Sequence, residues 1–386
     1  MKKAVLLIAL PALLASISAP SERPGVLKHA SVYKEAGRYG GWPANHGIWS
    51  WGNEIVVGFS GVDFLWNDED RHPYDRSKPE EPWLARSLDG GETWSAGAPP
   101  SLRAPFQGGP PALEPAEPMD FGHPDFAMTL RFKDAQTGPS FLFYSYDRGK
   151  TWRGPFNFPS FGQVAIAART DYIINGRRDA FVFVTAAKPI GREGRVLCAR
   201  TLDGGMTWQF VAWIGPEPKN GFSIMPSSVR LSQSEILTTF RHEENFRRGP
   251  NWIEAWRSLD NGATWEFLNR VVPDTGAKSG NPPSLVRLKD GRLALTWGFR
   301  SEPYSIRARI SDDNGRTWSD DIVLRDGGAG WDVGYTRSVE RPDGRILTVY
   351  YWCRDAKKER TIEATIWDPG KPAGRPAPAA SIKGVR

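Results

Sequence analysis

Ser87-Leu88-Asp89-Gly90-Gly91-Glu92-Thr93-Trp94 is the stretch that decides the architecture, because the same octapeptide returns four more times. The copies are Ser145-Tyr146-Asp147-Arg148-Gly149-Lys150-Thr151-Trp152, Thr201-Leu202-Asp203-Gly204-Gly205-Met206-Thr207-Trp208, Ser258-Leu259-Asp260-Asn261-Gly262-Ala263-Thr264-Trp265 and Ser311-Asp312-Asp313-Asn314-Gly315-Arg316-Thr317-Trp318. The pattern is [S/T]-x-D-x-G-x-T-W, and successive copies start 58, 56, 57 and 53 residues apart. Such a period suits one four-stranded sheet per repeat. The chemistry of the octapeptide is that of a turn: Asp accepts from backbone N–H groups, Gly takes a positive φ, and the Trp ring packs between sheets. Five identical turns around a ring point to structure, whereas one active site needs unlike residues, so the five aspartates are not read as metal ligands or acids.

A looser element opens each unit: a Pro or small residue, a β-rich run, a turn and another β-rich run. It is seen at Pro43, His123-Pro124, Gln163, Met225-Pro226, Pro282-Pro283 and Tyr335, with strands following at 55–59, 236–240, 293–297 and 346–351. That makes six openings for five octapeptides. Residues 361–367 supply a closing strand for the sixth unit, paired with the N-terminal run 25–34. No segment shows sustained helical periodicity. The expected fold is all-β, a single six-bladed β-propeller over 25–368, with ligands meeting the central channel where the innermost strands converge.

The remaining composition narrows the classes of function. With 386 residues, 17 Trp and 2 Cys, the chain is neither a disulfide-stapled miniprotein nor disordered. Its net charge of +6 is accounted for by Lys2 and Lys3 at the start and by Lys371, Arg375, Lys383 and Arg386 in a Pro/Ala-rich flexible tail at 369–386. The body between is neutral, which removes the argument for a nucleic-acid partner. Residues 1–19 read as a secretory signal: two lysines, an apolar run at 4–14 interrupted by Pro11, then small residues, with cleavage expected close to Ser18 or Ala19. The run is short for a bilayer span and no other stretch reaches about 20 apolar residues. A periplasmic or secreted monomer without a membrane span is expected. Cys198 and Cys353 lie in strand-like runs far apart, which leaves buried free thiols and a bridge both open.

The octapeptide resembles the Asp-box (BNR) repeat, and residues from about 30 to 368 resemble the sialidase (neuraminidase) superfamily, whose fold is a six-bladed propeller. The resemblance implies a secreted exo-glycosidase that hydrolyses a terminal acidic sugar from glycans. It further implies a Tyr nucleophile assisted by a Glu, an Asp acid/base and three Arg residues on the substrate carboxylate. The nucleophile segment is matched by Tyr335 and the strand, Asp343-Gly344 turn and second strand that follow it. Sister units carry Met225 or Pro282 at that place, so Tyr335 departs from its own repeat where a special role is expected. Arg241 matches the second clamp Arg; Arg300, with Arg307 as fallback, matches the third. Where the family has Phe-Arg-Ile-Pro this chain has Gly40-Gly41-Trp42-Pro43, so the first clamp Arg is missing unless Arg38 replaces it. Met225 stands where the assisting Glu belongs, with Glu243, Glu244 and Glu254 as loop substitutes. Glu81, or alternatively Asp63, is the candidate acid/base.

Three histidines, His46, His123 and His242, fall near the ends of expected inner strands and are read as substrate-binding residues on one rim of the channel. Their spacing fits no zinc motif, so no metal and no cofactor is expected. His and Tyr with Arg also suit β-elimination on uronate-containing polysaccharides, the chemistry of a lyase. Trp42, with Trp49, Trp51, Trp66 and Trp83, concentrates aromatic faces in the first unit, which suits sugar rings. A non-catalytic carbohydrate-binding propeller is the third reading.

Overall fold

The computed structural model describes residues 24–68 and 70–371. The expected signal segment at 1–19 and most of the expected tail, beyond residue 371, lie outside the described residues. Within them, 25 strands form six antiparallel sheets. The first blade runs Arg38–Gly41, Glu54–Asp63, Glu81–Ser87, Ser95–Gly97, with Ile48–Trp51 sharing the second of these. The second has three strands, Ala127–Phe132, Ser140–Ser145 and Arg153–Phe158. The third joins Ile166–Ala167 and Tyr172–Ile174 to Ala180–Ala187, Glu193–Thr201 and Gln209–Ile214. Four strands each make the fourth blade, Phe222–Arg230 to Glu266–Val272, and the fifth, Ser284–Arg287 to Ile322–Arg325. In the sixth, Gly334–Glu340, Ile346–Cys353 and Arg360–Asp368 are completed by the N-terminal strand Gly25–Tyr33. That last pairing runs from Gly25 opposite Asp368 to Tyr33 opposite Ile362, and it ties the two ends of the chain into one ring.

The second strand of a blade is covered on both faces, which is why Ile346–Cys353 is apolar except for Thr348 and every one of its residues is buried. Blade faces pack through shared clusters. Tyr39 and Phe59 of the first blade meet Leu347, Tyr351 and Ile362 of the sixth; Phe181 and Phe183 of the third meet Ile236 and Phe240 of the fourth. Each such fully buried side chain contributes about 1.5–3 kcal/mol, an upper figure against an already compact unfolded chain.

The octapeptides sit in the turn between the last two strands of the first five blades. In the first copy the Ser87 hydroxyl donates to Asp89 (2.8 Å) and accepts from the Gly91 N–H (2.7 Å), while Asp89 accepts from the Thr93 N–H (2.9 Å) and hydroxyl (2.5 Å). Trp94 closes the turn by donating to Gly91 O at 3.0 Å. Burial works against the Asp89 charge, but the bonds from Thr93 and Ser87 outweigh it and hold the carboxyl at about 2. Asp147, Asp203, Asp260 and Asp313 repeat this geometry. All five are consumed by their own turns. Cys198 and Cys353 are buried free thiols, which settles the open alternative; burial pushes them to about 12 and about 11.

Candidate functional site

Tyr335 is delivered by a local irregularity. The first strand of the sixth blade pairs Gly334 with Tyr351 and Arg337 with Val349, and the register shifts between them. Tyr335 occupies the shift with a φ of 50°, left-handed backbone that costs a non-glycine residue about 1–2 kcal/mol. Asn281 of the preceding blade holds it there: its Oδ1 accepts the Tyr335 N–H at 2.7 Å and its Nδ2 donates to Val333 O at 2.8 Å. Met225 and Trp42 take the same left-handed conformation, φ 60° and 53°, near the innermost strands of the fourth and first blades. The repeat therefore builds one kinked position several times, and only the sixth blade puts a phenol there.

The phenol faces a cavity of about 1050 Å³ at one mouth of the channel, whose wall also includes Arg241, Arg300, Trp331, Phe222 and Glu193. The Arg241 and Arg300 guanidinium carbons lie 5.8 and 5.3 Å from the Tyr335 ring centre. Both arginines are buried, and neither has a carboxylate within 4 Å among the described residues. Burial raises the phenol, but Arg241, then Arg300 and Arg169, more than offset it, so Tyr335 ionises below its ordinary value. Arg241 donates to Gly280 O (3.3 Å), and its Nε has no hydrogen-bond partner among the described residues. Arg300 is tied down by Tyr351 OH (2.5 Å), Lys278 O (3.2 Å) and Val333 O (3.3 Å).

Behind Arg300 lies a buried carboxylate that sequence reasoning missed. Asp332 accepts from His72 Nδ1 (2.6 Å), Tyr351 OH (2.7 Å), Arg360 Nε (3.1 Å) and Tyr39 OH (3.3 Å). Burial opposes its charge, yet His72, Arg360 and Arg300 hold it well below the usual carboxylate range. His72 belongs to the acidic segment between Asp63 and Glu81, and Lys278 pairs with Asp70 of the same segment. The segment is thereby strapped over the cavity, with Asp68, Asp70, Arg71, His72 and Arg76 in its wall.

A second cavity, of about 540 Å³, shares His72, Arg76 and Tyr335 with the first and adds Trp42, His46, Glu80, Phe106, Arg131, Phe132 and Lys133. Glu80 is raised from its ordinary value by burial, against a bond from Ser60 and the charge of Arg76.

The structure brings Tyr335, Arg241, Arg300, His46 and Trp42 to these two cavities and leaves the other sequence candidates elsewhere. Glu81 accepts from Arg38 (2.8 Å) and Arg103 (3.0 Å), and Asp63 pairs with Arg38, so both expected acids and the substitute Arg are spent on one ion-pair cluster outside the cavity walls. Glu80 points the other way because neighbouring residues of an extended chain alternate sides. Arg307 lies over Phe299 and binds Asp321 (3.0 Å) and Ser305 (2.9 Å), outside the cavity wall. His123 stacks near Tyr146 and accepts the Asp125 N–H at 3.1 Å. His242 stacks on Trp252 at 4.1 Å and shares a hydrogen bond with Ser223 (2.9 Å). Of the three histidines only His46 lines either cavity, and no cluster of three or more metal-binding side chains occurs among the described residues. At the place of the first clamp Arg, a Cβ on Gly41 would meet the Tyr39 ring at 2.5 Å, so the fold has no room there for a side chain. Glu254 accepts from Trp252 and Trp256, both at 2.9 Å. Glu243 is buried and raised by that burial, and neither it nor the exposed Glu244 lines either cavity.

A ring of six blades with a kinked tyrosine under two guanidinium groups at its mouth defines a six-bladed β-propeller of sialidase-like architecture. The chain belongs to the BNR repeat-like domain family, whose model matches residues 126–348, more than half of its length. No curated protein compared with it matches. Among solved structures it is similar to a protein of unknown function from Dyadobacter fermentans, at 19% identity over 89% of this chain and 99% of that one, with a TM-score of 0.65. It is similar to a mutant Trypanosoma rangeli sialidase displaying trans-sialidase activity at 13% identity, covering 90% of this chain and 57% of that one, TM-score 0.56. A Penicillium chrysogenum alpha-L-arabinanase aligns at 12% identity over 88% and 98% of the two chains, TM-score 0.55. At these identities the likeness speaks for the fold. No helix among the described residues is long and apolar enough to cross a membrane.

Proposed function

We propose that the protein is a glycoside hydrolase that removes a terminal acidic sugar, sialic acid or a related one, from glycans. The observation that carries this reading is the Tyr335 phenol, lowered by Arg241 and Arg300 within a cavity broad enough for a sugar ring. In this reading the two guanidinium groups hold the sugar carboxylate, and the phenolate attacks the adjoining anomeric carbon. A neutral-to-anionic phenol meets less repulsion from that carboxylate than a carboxylate nucleophile would. Glu80, whose proton affinity is raised by burial, donates a proton to the leaving oxygen and afterwards takes one from the water that hydrolyses the aryl glycoside. Asp332 acts on neither atom; through Tyr351 it positions Arg300, and through His72 it holds the strap.

One observation favours a second reading. Met225, 2% exposed, occupies the place of the assisting carboxylate and packs in one cluster with Tyr335, so no carboxylate assists the phenol there and it is lowered by Arg241, Arg300 and Arg169 against burial and the charge of Glu193. Such a phenolate suits abstraction of the proton beside a uronate carboxylate, the first step of β-elimination. Incubation with sialosides and with uronate-containing polysaccharides separates the two. Reducing sugar without the unsaturated-uronate absorbance marks a hydrolase; that absorbance marks a lyase. Under either reading Tyr335→Phe abolishes turnover, and full activity in that variant rejects both. The proposal includes export through residues 1–19, tested by the mass of the mature N-terminus.

A further inference from the structure

The second cavity contains a cation that the reading above does not use. Arg131 lies on Ala127–Phe132, is 4% exposed and forms part of the cavity wall. Its Nε, Nη1 and Nη2 have no hydrogen-bond partner among the described residues, and no carboxylate there lies within 4 Å of it. Burial alone pulls the guanidinium down, to about 9, which leaves it charged at neutral pH. An uncompensated buried charge opposes folding, and in a cavity wall it is relieved by an incoming anion. The carboxyl in the lining, Glu80, is engaged by Ser60 and feels Arg76, not Arg131. His46 adds a second side chain with an unpartnered polar atom: its Nε2 shares a hydrogen bond with Ser60 Oγ (2.9 Å), and its Nδ1 has no partner among the described residues. Phe106, Phe132 and Trp42 supply ring faces around these donors.

We propose that this cavity is a second anion subsite, in which Arg131 takes the carboxylate or sulfate of a sugar adjoining the one held at Tyr335. The substrate class then sharpens from a glycan ending in an acidic sugar to one with negative charge on two neighbouring sugars. This sharpening rests on the Tyr335 reading; the anion subsite itself does not.

The test uses the full chain and Arg131→Met, whose flexible apolar side chain fills similar space. Inorganic sulfate at low concentration probes the subsite without sugar: it raises the unfolding temperature of the wild type more than that of R131M, which keeps only the anion site at Arg241 and Arg300. Equal protection of both rejects the subsite. Without ligand, R131M is at least as stable as wild type, because the uncompensated charge is gone. An R131M that unfolds earlier and still binds anions as wild type does would make Arg131 structural and overturn the proposal. Calorimetry with three disaccharides tests the substrate class: two uronates, one uronate with a sulfated sugar, and one uronate with a neutral sugar. R131M weakens one or both of the doubly charged probes about tenfold or more and leaves the singly charged one unchanged; which probe responds tells carboxylate from sulfate. Unchanged affinity for all three rejects the paired-charge substrate. If sulfate distinguishes the proteins and no sugar binds the wild type, the Tyr335 reading fails while the subsite stands.

Discussion

Replacing Arg241 by Gln tests the electrostatics of the site in a way that separates charge from shape. Arg241 is the better target of the two because Arg300 also supports Tyr351, Lys278 and Val333, whereas Arg241 donates to the backbone of Gly280. Gln keeps a donor and removes the charge. With the phenolate placed at the ring centre, 5.8 Å from the Arg241 guanidinium carbon, and an effective dielectric of about 20, the attraction is about 3 kcal/mol. That corresponds to about a hundredfold in the phenolate population at a given pH. Two measurements follow. Ultraviolet difference titration, with Tyr335→Phe subtracted to isolate one of the 10 tyrosines, shows Tyr335 ionising at higher pH in R241Q. Turnover at neutral pH falls about a hundredfold and recovers in part as pH rises and the phenolate is restored. An R241Q protein in which the Tyr335 titration stays in place would refute the claim that Arg241 tunes the phenol. Loss of turnover with no recovery at higher pH would assign Arg241 to substrate binding alone.

Three further outcomes follow from the buried carboxyls. Glu80→Gln lowers turnover by about 10²–10⁴, the usual loss for a general acid, whereas Glu81→Gln, outside both cavities, changes stability more than rate; steady-state kinetics on both variants decides which residue donates the proton. Asp171, raised to about 7 by burial against Arg337 and Ser228, stabilises the fold below its unfolded value of 3.8 and loses that contribution as pH rises to about 7. Denaturant unfolding of Asp171→Asn should therefore gain on wild type by at most about 1.4 kcal/mol per pH unit across that window and level off above it. Asp332 behaves oppositely: its lowered value contributes stability above the ordinary carboxylate range and loses it as pH falls through the lowered value. Asp332→Asn costs about 3–5 kcal/mol at neutral pH, because Arg360 and His72 lose a buried partner, and the loss is read by denaturant unfolding.

The architecture was readable because its chemistry is local. Ser87, Asp89, Gly91, Thr93 and Trp94 satisfy one another within eight residues, so the pattern alone specifies the turn. Tyr335 stood out because sister units carry Met225 or Pro282 at its place, and Arg241 because it ends the strand run 236–240 where the resemblance puts the second clamp Arg. What stayed hidden depends on pairings distant in sequence or on the phase of one strand. Glu80 and Glu81 differ only in which way an extended segment between Pro79 and Pro82 turns its side chains, and Arg38 and Arg103 capture Glu81 from elsewhere in the chain. His72 sat in a segment rich in acids that resembled a solvated loop; its partner Asp332 is 260 residues away. Arg131 gave no signal in a strand of ordinary composition, since its meaning lies in the carboxylate it lacks. His123 and His242 do not line the cavities with His46, because Tyr146 engages one and Ser223 and Trp252 the other.

The central claim is that Tyr335 under Arg241 and Arg300 serves an acidic sugar. It is tested most directly by offering wild type and Tyr335→Phe an acidic glycan pool and, separately, neutral arabinan, and quantifying the sugars released. The account predicts release from the acidic pool by wild type only and none from arabinan by either protein. Release from arabinan with none from the acidic pool, or equal release by Tyr335→Phe, would contradict it.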